Sequence, residues 1–177
     1  MAILDIVTFP TPSLRLKSKK VSKFDAELQT LIDNMFETMR AAPGVGLAAP
    51  QIGQSIRLVV VEYKEDGDEN AKPRKYVLVN PEIIKRSEEK VTDIEGCLSV
   101  PGLAGKVERH EAITVRAKNR FGKPLKIDAE GWLARIFQHE IDHLDGVLAV
   151  DRAIGTGDIV YMAEYRKHRE LYDGQCD

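Results

Sequence analysis

The residues with the clearest chemical potential form the pattern H-E-x-x-H at positions 139–143. If this segment is helical, His139 and His143 lie one turn apart on one face, so both imidazoles can reach a single metal ion. Glu140 can stand beside such a metal without ligating it, where it can take a proton from water. The apolar neighbours Phe137 and Ile141 predict a buried helix, and buried ionisable groups need a partner such as a metal. The pattern therefore favours a metal site over a solvated polar stripe.

Two histidines leave a catalytic metal site incomplete, because such a site usually has three protein ligands and one open position. The other histidines, His110 and His168, lie in strongly charged segments, where we expect them to be solvated. Of the two cysteines, Cys97 follows Gly96, which permits close backbone approach, whereas Cys176 is next to the last residue of a polar tail. Taken alone, Cys97 is typical of a small buried apolar residue. Beside an incomplete site it becomes the favoured third ligand.

A third pattern, G-V-G-L-A-A-P-Q, covers residues 44–51. Its two glycines allow another group to approach the backbone closely. No strand is predicted before them and no Lys-Ser/Thr pair follows, so a phosphate-binding loop is disfavoured. Gln51 offers a side-chain amide that can donate a hydrogen bond to an oxyanion. From the residues alone, this role for Gln51 stays open.

Helical periodicity frames these motifs on both sides. Apolar residues recur at helical spacing from Phe24 to Met39 and predict a helix whose stripe packs in the core. A second helix is predicted over 131–145, ending at Gly146, and a third, weakly amphipathic one over 158–171. Ser22 and Asp25 resemble a capping box and predict the start of the first helix, and Pro43 and Gly44 predict its end.

Between positions 44 and 129 the pattern changes to strands. Short β-branched runs at 58–61 and 76–79 flank the acidic segment 65–72, which predicts a hairpin loop. No helical segment separates the strands, so the sheet is predicted to be antiparallel. With the flanking helices, this pattern predicts a single α+β domain over residues 1–177. The later runs, which follow at similar spacing, centre on Val107, 113–115 and 125–127.

The amino-acid composition excludes several classes of protein. Hydrophobic residues make up 43% and charged residues 31%, which excludes a disordered or collagen-like chain. The 26 basic and 28 acidic residues give a net charge of −2, which provides no electrostatic footprint for nucleic acid. No apolar run approaches the roughly 18 residues of a membrane span, and the first residues do not resemble a secretory signal. We therefore expect a cytoplasmic protein with free thiols.

Together, the motifs G-V-G-L-A-A-P-Q, E-G-C-L-S and Q-H-E-I-D-H resemble, in order and rough spacing, the three signature motifs of peptide deformylase. The resemblance extends from P-T-P-S-L-R at 10–15 to about Asp151. It implies hydrolysis of the N-formyl group from the N-terminal formyl-methionine of newly made polypeptides, with release of formate and with the ribosome as a further partner. It also implies an α+β fold, in which antiparallel sheets pack around a central helix carrying H-E-x-x-H.

The resemblance implies roles for individual residues. The implied ligands of one divalent metal are Cys97, His139 and His143. In this family the ion is typically Fe²⁺, with Zn²⁺ or Ni²⁺ as replacements. The implied catalytic groups are Glu140 as general base and acid, with the Gln51 side chain and the Leu98 backbone N–H as oxyanion donors. The residues implied to line the methionine pocket or pair with the substrate backbone are Val45, Gly46, Trp132 and Ile136.

The chain departs from the family pattern at three places. Leu103 stands where several members carry Arg or Tyr near the substrate entrance, so recognition of residues beyond methionine stays open. Trp132 belongs to a W-x-A-R-I run, which resembles the corresponding run of organelle-type members of the family more closely than that of the commonest bacterial form. The segment after Asp151 matches no part of the family pattern.

Two other functions are compatible with H-E-x-x-H. A zincin-like endopeptidase needs a third ligand downstream, and the available residues, Glu164, His168 and Glu170, lie in a charged predicted helix. A structural metal-binding module usually has a fourth Cys or His at motif spacing, and the sequence contains none. Formate release from a formyl-methionyl peptide, compared with amine release from an internal peptide bond, separates the three functions.

Overall fold

The computed structural model describes residues 2–64 and 72–169. The helices are α1 (Ala26–Ala41), α2 (Gly131–Leu144) and α3 (Met162–Lys167). The strands are β1 (Gly46–Ala48), β2 (Leu58–Tyr63), β3 (Arg74–Arg86), β4 (Lys90–Cys97), β5 (Val100–His110), β6 (Ala112–Lys118), β7 (Pro124–Glu130) and β8 (Ile159–Tyr161). One sheet has the order β1-β2-β3-β6-β7 and the other β4-β5-β8, with antiparallel pairing throughout both. The predicted α+β class with antiparallel sheets is confirmed.

The first helix forms where the apolar stripe predicts it. Asp25, rather than Ser22, is the N-cap, and its carboxylate accepts a hydrogen bond from the backbone N–H of Leu28 at 3.0 Å. Such a cap satisfies one of the backbone donors that the first helical turn leaves free. The stripe, with Ile32 fully buried, packs against one face of the five-stranded sheet, where it meets Val60.

The second helix packs on the opposite face of the same sheet. Phe137 is fully buried there, in one cluster with Val59 and Val61 of β2. Because neighbouring residues of a strand point to opposite faces, Leu58 and Val60 lie under α1 instead. The predicted apolar run 58–61 is therefore a strand buried on both faces.

The polar side of α2 is covered by the three-stranded sheet. Arg135 donates to the carbonyl oxygen of Val107 at 2.9 Å, and Gln138 donates to that of His110 at 2.8 Å. The helix that carries H-E-x-x-H is thus central, with the larger sheet on its apolar side and the smaller sheet on its polar side.

The secondary structure differs from the prediction at two places. The sequence does not predict strand β4, because its residues are mostly exposed and do not alternate between apolar and polar. The helix predicted over 158–171 is wrong at its start, since Ile159–Tyr161 forms β8 and α3 ends at Lys167. The β-branched pair Ile159 and Val160 explains this difference, because it adds a strand to the edge of β5.

Some predictions fall on residues that the structure does not describe. The predicted loop 65–72 lies outside the described residues except for its last position, although the flanking strands β2 and β3 pair antiparallel as a hairpin requires. The end of the third predicted helix and Cys176 also lie outside them. Within residues 2–64 and 72–169, no helix has the length and apolar character needed to cross a bilayer.

Candidate metal centre and active site

The end of β4 and the middle of α2 bring the three predicted ligands together. Cys97 is the last residue of β4, and His139 and His143 lie one turn apart on α2. One ligand atom from each residue lies within 4.8 Å of the others, and the Cys97 Sγ is 3.3 Å from Nε2 of His143. A thiolate with two imidazoles is a donor set that suits Zn²⁺ or Fe²⁺.

The carboxylate of Glu95 fixes the ring of His139. Its Oε2 lies 2.9 Å from Nδ1 of His139, so the other ring nitrogen is the one that faces Cys97. Glu95 is itself held by Arg109, through Nε at 2.8 Å and Nη2 at 2.9 Å, and by Nη1 of Arg135 at 2.8 Å. Partners of this kind orient metal-ligating histidines. Glu95 is absent from the predicted site residues, although its position two residues before Cys97 is a signal that could have identified it.

The charges around the cluster favour a cation. Burial alone would raise the pKa of Glu95, but hydrogen bonds from Arg109 and His139 outweigh it and hold that pKa well below its usual range. Burial alone would lower the pKa of His139, but its hydrogen bonds with Cys97 and Glu95 raise it well above its usual value. Burial lowers the pKa of His143, so this imidazole is neutral, as a ligand must be. The surroundings of His139 thus favour positive charge, which a bound metal ion supplies.

Glu140 lies beside the ligands without bonding to them. It is buried, and its Oε2 has no hydrogen-bond partner in the described part of the chain. Burial raises the pKa of Glu140 to about 7. A Cβ on Gly46 would lie 2.5 Å from Oε1 of Glu140, so only glycine at that position leaves room for the carboxylate. An unpartnered buried carboxylate beside three metal ligands fits a group that exchanges protons with a substrate or a water.

The side chain of Gln51 is buried in a fixed orientation. Its Oε1 accepts a hydrogen bond from the backbone N–H of Ala48 at 2.9 Å. Its Nε2 therefore points the other way, 3.2 Å from Oγ of Ser99 and 3.7 Å from Sγ of Cys97. Leu98 lies in the turn after β4 and lines the same cavity as Gln51. Both predicted oxyanion donors thus lie at the ligand cluster.

Two adjacent cavities open onto the cluster. The larger, about 450 Å³, is lined by Gln51, Leu98 and the ligands Cys97 and His139, and its volume is typical of a small-molecule site. The smaller, about 110 Å³, is lined by the predicted residues Val45, Trp132 and Ile136. The residues that line both cavities are Val45, Gly96, His139 and Glu140. The wall of the larger cavity also includes Met162 and Arg166 of α3, which lie in the segment that the sequence left unassigned.

The remaining histidines lie away from the cluster. His110 is half-buried at the end of β5, and its Nδ1 lies 2.8 Å from the carbonyl oxygen of Ser87, so the prediction that it is solvated is wrong. A backbone acceptor, not apparent from the charged sequence around it, explains the difference. His168 is exposed as predicted, 3.9 Å from Glu164. The metal-binding cluster includes neither histidine.

Known proteins resemble this chain over most of its length. The profile of the polypeptide deformylase family matches residues 3–157. A peptide deformylase from Symbiobacterium thermophilum is 56% identical over 171 residues, which cover 97% of this chain and 76% of that protein. The crystal structure of a peptide deformylase from Legionella pneumophila gives a TM-score of 0.79 at 46% identity, with 98% of both chains covered. That of a Synechococcus elongatus peptide deformylase in complex with actinonin gives 0.80 at 40% identity, covering 88% of this chain and 81% of that one.

Proposed function

This chain belongs to the polypeptide deformylase family, and from that premise we propose that Cys97, His139 and His143 hold its metal ion while Glu140 transfers protons. The protein is a metal-dependent hydrolase that removes the N-formyl group from nascent polypeptides and releases formate. The observation that carries the assignment of residues is the convergence of three ligand atoms within 4.8 Å, next to a buried carboxylate without a partner.

The donor set supports a divalent transition metal as the cofactor. We propose Fe²⁺ as the native ion, with Zn²⁺ or Ni²⁺ as replacements, because a soft thiolate and two imidazoles accommodate all three. When bound, the ion supplies Lewis-acid chemistry that activates water and polarises the formyl carbonyl. Glu95 keeps the His139 ring oriented toward this ion through the hydrogen bond at 2.9 Å.

Glu140 accepts the proton of the attacking water and later delivers it to the leaving amine. Its buried position next to His139, with Oε2 free of other partners, leaves the carboxylate available for this transfer. Gly46 preserves the space that the carboxylate needs. Transfer by a positioned general base and acid typically contributes ~10²–10⁴-fold to the rate.

Gln51 and Leu98 stabilise the negative charge that develops on the formyl oxygen. The hydrogen bond from Ala48 to Oε1 turns the amide so that Nε2 points toward the cluster before any substrate binds. The backbone N–H of Leu98 is the second donor. Removing one such preoriented donor commonly costs ~3 kcal/mol in the transition state.

The smaller cavity receives the methionine side chain. Its volume of about 110 Å³ is roughly that of four water molecules, which suits one slender unbranched side chain. Val45, Trp132 and Ile136 supply its apolar lining. Gly46 lies in β1, an edge strand that pairs with β2 on one side, so its other side suits pairing with the substrate backbone.

We place this reaction in the cytoplasm, on formyl-methionyl chains emerging from the ribosome. We also propose that residues 1–177 act as one domain. The packing of α2 between both sheets supports this, because its apolar side and its polar side each depend on a different sheet.

The proposed function is tested by two release assays on the metal-loaded protein. We expect formate from a formyl-methionyl peptide and no new amine from internal peptide bonds of an unformylated peptide. New amine from internal bonds, without formate, would instead identify an endopeptidase.

Metal content tests the third ligand. Cys97→Ser should lose most of the metal, because it removes the one anionic ligand, and Cys97→Asp should lose less, because a carboxylate restores the charge. The chain's other cysteine supplies the control, since Cys176→Ser should keep its metal. A full metal complement in Cys97→Ser, measured by elemental analysis, contradicts the ligand set.

A further inference from the structure

The segment after Asp151 forms part of the wall around the active site. In β8, Tyr161 pairs with Leu103 and Val160 with Ala104, which places the following helix α3 next to the end of β4. The side chain of Met162 confirms the close approach, because its Cε lies 3.0 Å from where a Cβ on Gly96 would stand. Gly96 directly precedes Cys97, so the Met162 side chain of α3 reaches the strand that ends at the proposed metal ligand.

Arg166 of α3 is an exposed, positively charged residue in the lining of the larger cavity. The neighbouring lining residues Pro101, Gly102 and Leu103 are uncharged, and the carboxyl group of Glu140 is buried. Arg166 is exposed, and it makes no hydrogen bond or ion pair with any residue that the structure describes. Its neighbour Lys167, by contrast, is paired with Glu164 at 2.8 Å. Among the described residues the guanidinium thus has no partner, and it lines the cavity next to the ligand cluster.

The two cavities dictate where the rest of a substrate runs. If the methionine side chain occupies the smaller cavity, the residues that follow it run into the adjacent larger one, whose lining includes the half-buried Leu103 and the exposed Arg166. A guanidinium pairs with a carboxylate through two parallel hydrogen bonds, and it repels an ammonium group.

We propose that Arg166 is a specificity-determining residue that favours substrates with an acidic residue at one of the two positions after the formyl-methionine. The inference rests on the proposed deformylase function and adds a charge preference to it. Since the pair forms at an exposed site, we expect a preference of at most about fivefold, the upper end of the range measured for exposed ion pairs. It should weaken as salt is added, because exposed charges are screened.

The test uses metal-loaded protein and two sets of formyl-methionyl tripeptides, with Glu, Gln or Lys at the second or at the third position. For the wild-type protein we expect kcat/KM to fall in the order Glu, Gln, Lys in at least one set, mainly through KM. Arg166→Glu should reverse that order, and Arg166→Lys should keep it in weaker form. A merely structural role for Arg166 would change the rates of all three peptides alike.

Lys167→Glu is the matched control, because it makes the same charge change on the same helix at a residue that does not line the cavity. It should keep the wild-type order of peptides. The inference is overturned if Arg166→Glu retains the wild-type order, or if Lys167→Glu reverses it equally. Equal rates on all peptides in the wild-type protein overturn this inference alone, whereas no formate from any peptide overturns the proposed function.

Discussion

The helices α1 and α2 pack on opposite faces of one sheet, but they bury different kinds of residue. In α1, six of 16 residues are buried, and all of them are apolar except Thr38. In α2, ten of 14 are buried, and four of these are polar or charged: Arg135, Gln138, Glu140 and His143. One helix buries a stripe and leaves its charges in water, whereas the other is enclosed on both sides.

Burying the polar face of α2 costs free energy, whereas α1 buries almost only apolar side chains. Each buried charge must be offset by partners, and the strands β4 and β5 supply them through Glu95 and Arg109. A buried ion network of this kind adds little to stability compared with apolar packing. Its effect is to hold His139 and its neighbours in one geometry. The comparison teaches that α1 supports the fold, while the buried polar residues of α2 distinguish the helix to which we assign the chemistry.

The largest expected effect is on the rate, from the one polar residue of α2 that has a free buried oxygen. Glu140→Gln keeps the size of the side chain but removes the proton acceptor, so kcat should fall by ~10²–10⁴-fold while the metal stays bound. The control is Glu130→Gln, at the exposed start of α2 with no capping hydrogen bond, which should keep wild-type activity. Near wild-type kcat in metal-loaded Glu140→Gln contradicts the role of Glu140. Formate release and metal content are measured together.

The next effect is on stability, from the buried network behind α2. Arg109→Met removes the partner that Glu95 and Asp142 share. Because Arg135 still pairs with Glu95 and Arg152 with Asp142, the loss should be about 3 kcal/mol, the lower end of the range for breaking a buried ion pair. Arg116→Met is the matched control on β6, because Arg116 pairs with Glu82 where both side chains are more than half exposed. That change should cost less than ~1 kcal/mol. Equal losses in urea unfolding would show that the network is not energetically distinct from a surface pair.

This network also marks the limit of what the sequence predicts. The bounds of α2 were predictable to within a residue, because an apolar stripe over 131–145 and the stop at Gly146 are local signals. Glu95, Arg109 and Arg135 are separated by up to 40 residues, and no periodicity in the chain pairs them. Cys97 is predicted as a ligand only because the two histidines leave a site incomplete and because its motif resembles a known one.

The difference between local signals and pairings of distant residues also explains why the segment after Asp151 was not predicted. Its strand β8 has only three residues and is formed by pairing with β5, so its position depends on a partner about 55 residues earlier in the chain. Helical patterning alone therefore assigned those residues to a helix. The contacts of Met162 and Arg166 with the site follow from that pairing, and no local signal could have predicted them.

The third prediction concerns α1, where a substitution should lower the stability of the fold but leave the catalytic rate unchanged. Ile32 is fully buried in the cluster between α1 and the sheet, so Ile32→Ala should lower the free energy of unfolding by about 2–5 kcal/mol. Because α1 contributes no residue to the ligand cluster, kcat per folded, metal-loaded molecule should stay at the wild-type value. Ile84→Ala on β3, where the side chain is 42% exposed, is the control and should cost far less. A fall in kcat as large as that of Glu140→Gln would erase the distinction between the two helices.

The smallest effect comes from the charged surface of α1. Arg40 binds Glu62 of β2 through two hydrogen bonds, at 2.7 and 3.1 Å, with side chains that are 38% and 18% exposed. The hydrogen bond from Arg40 holds the pKa of Glu62 below its ordinary value, although burial opposes it. Because solvent screens this pair, Arg40→Met should cost at most ~1 kcal/mol at pH 7, well below the loss in Arg109→Met.

The pH dependence of the stability lost in Arg40→Met tests whether this surface ion pair acts through its charge. A carboxyl group whose pKa is lower in the folded than in the unfolded protein stabilises the fold above its unfolded pKa, and the contribution disappears as the pH falls through the folded pKa. The difference in unfolding free energy between wild type and Arg40→Met should therefore be constant above the ordinary pKa of a Glu side chain, about 4.3, and shrink as the pH falls through the lower pKa that Glu62 has in the folded protein. Added salt at pH 7 should shrink it too, since the pair is partly exposed. A difference that stays unchanged to the lowest pH at which the protein remains folded would show that Arg40 acts through apolar packing of its side chain on Phe36 and not through its charge.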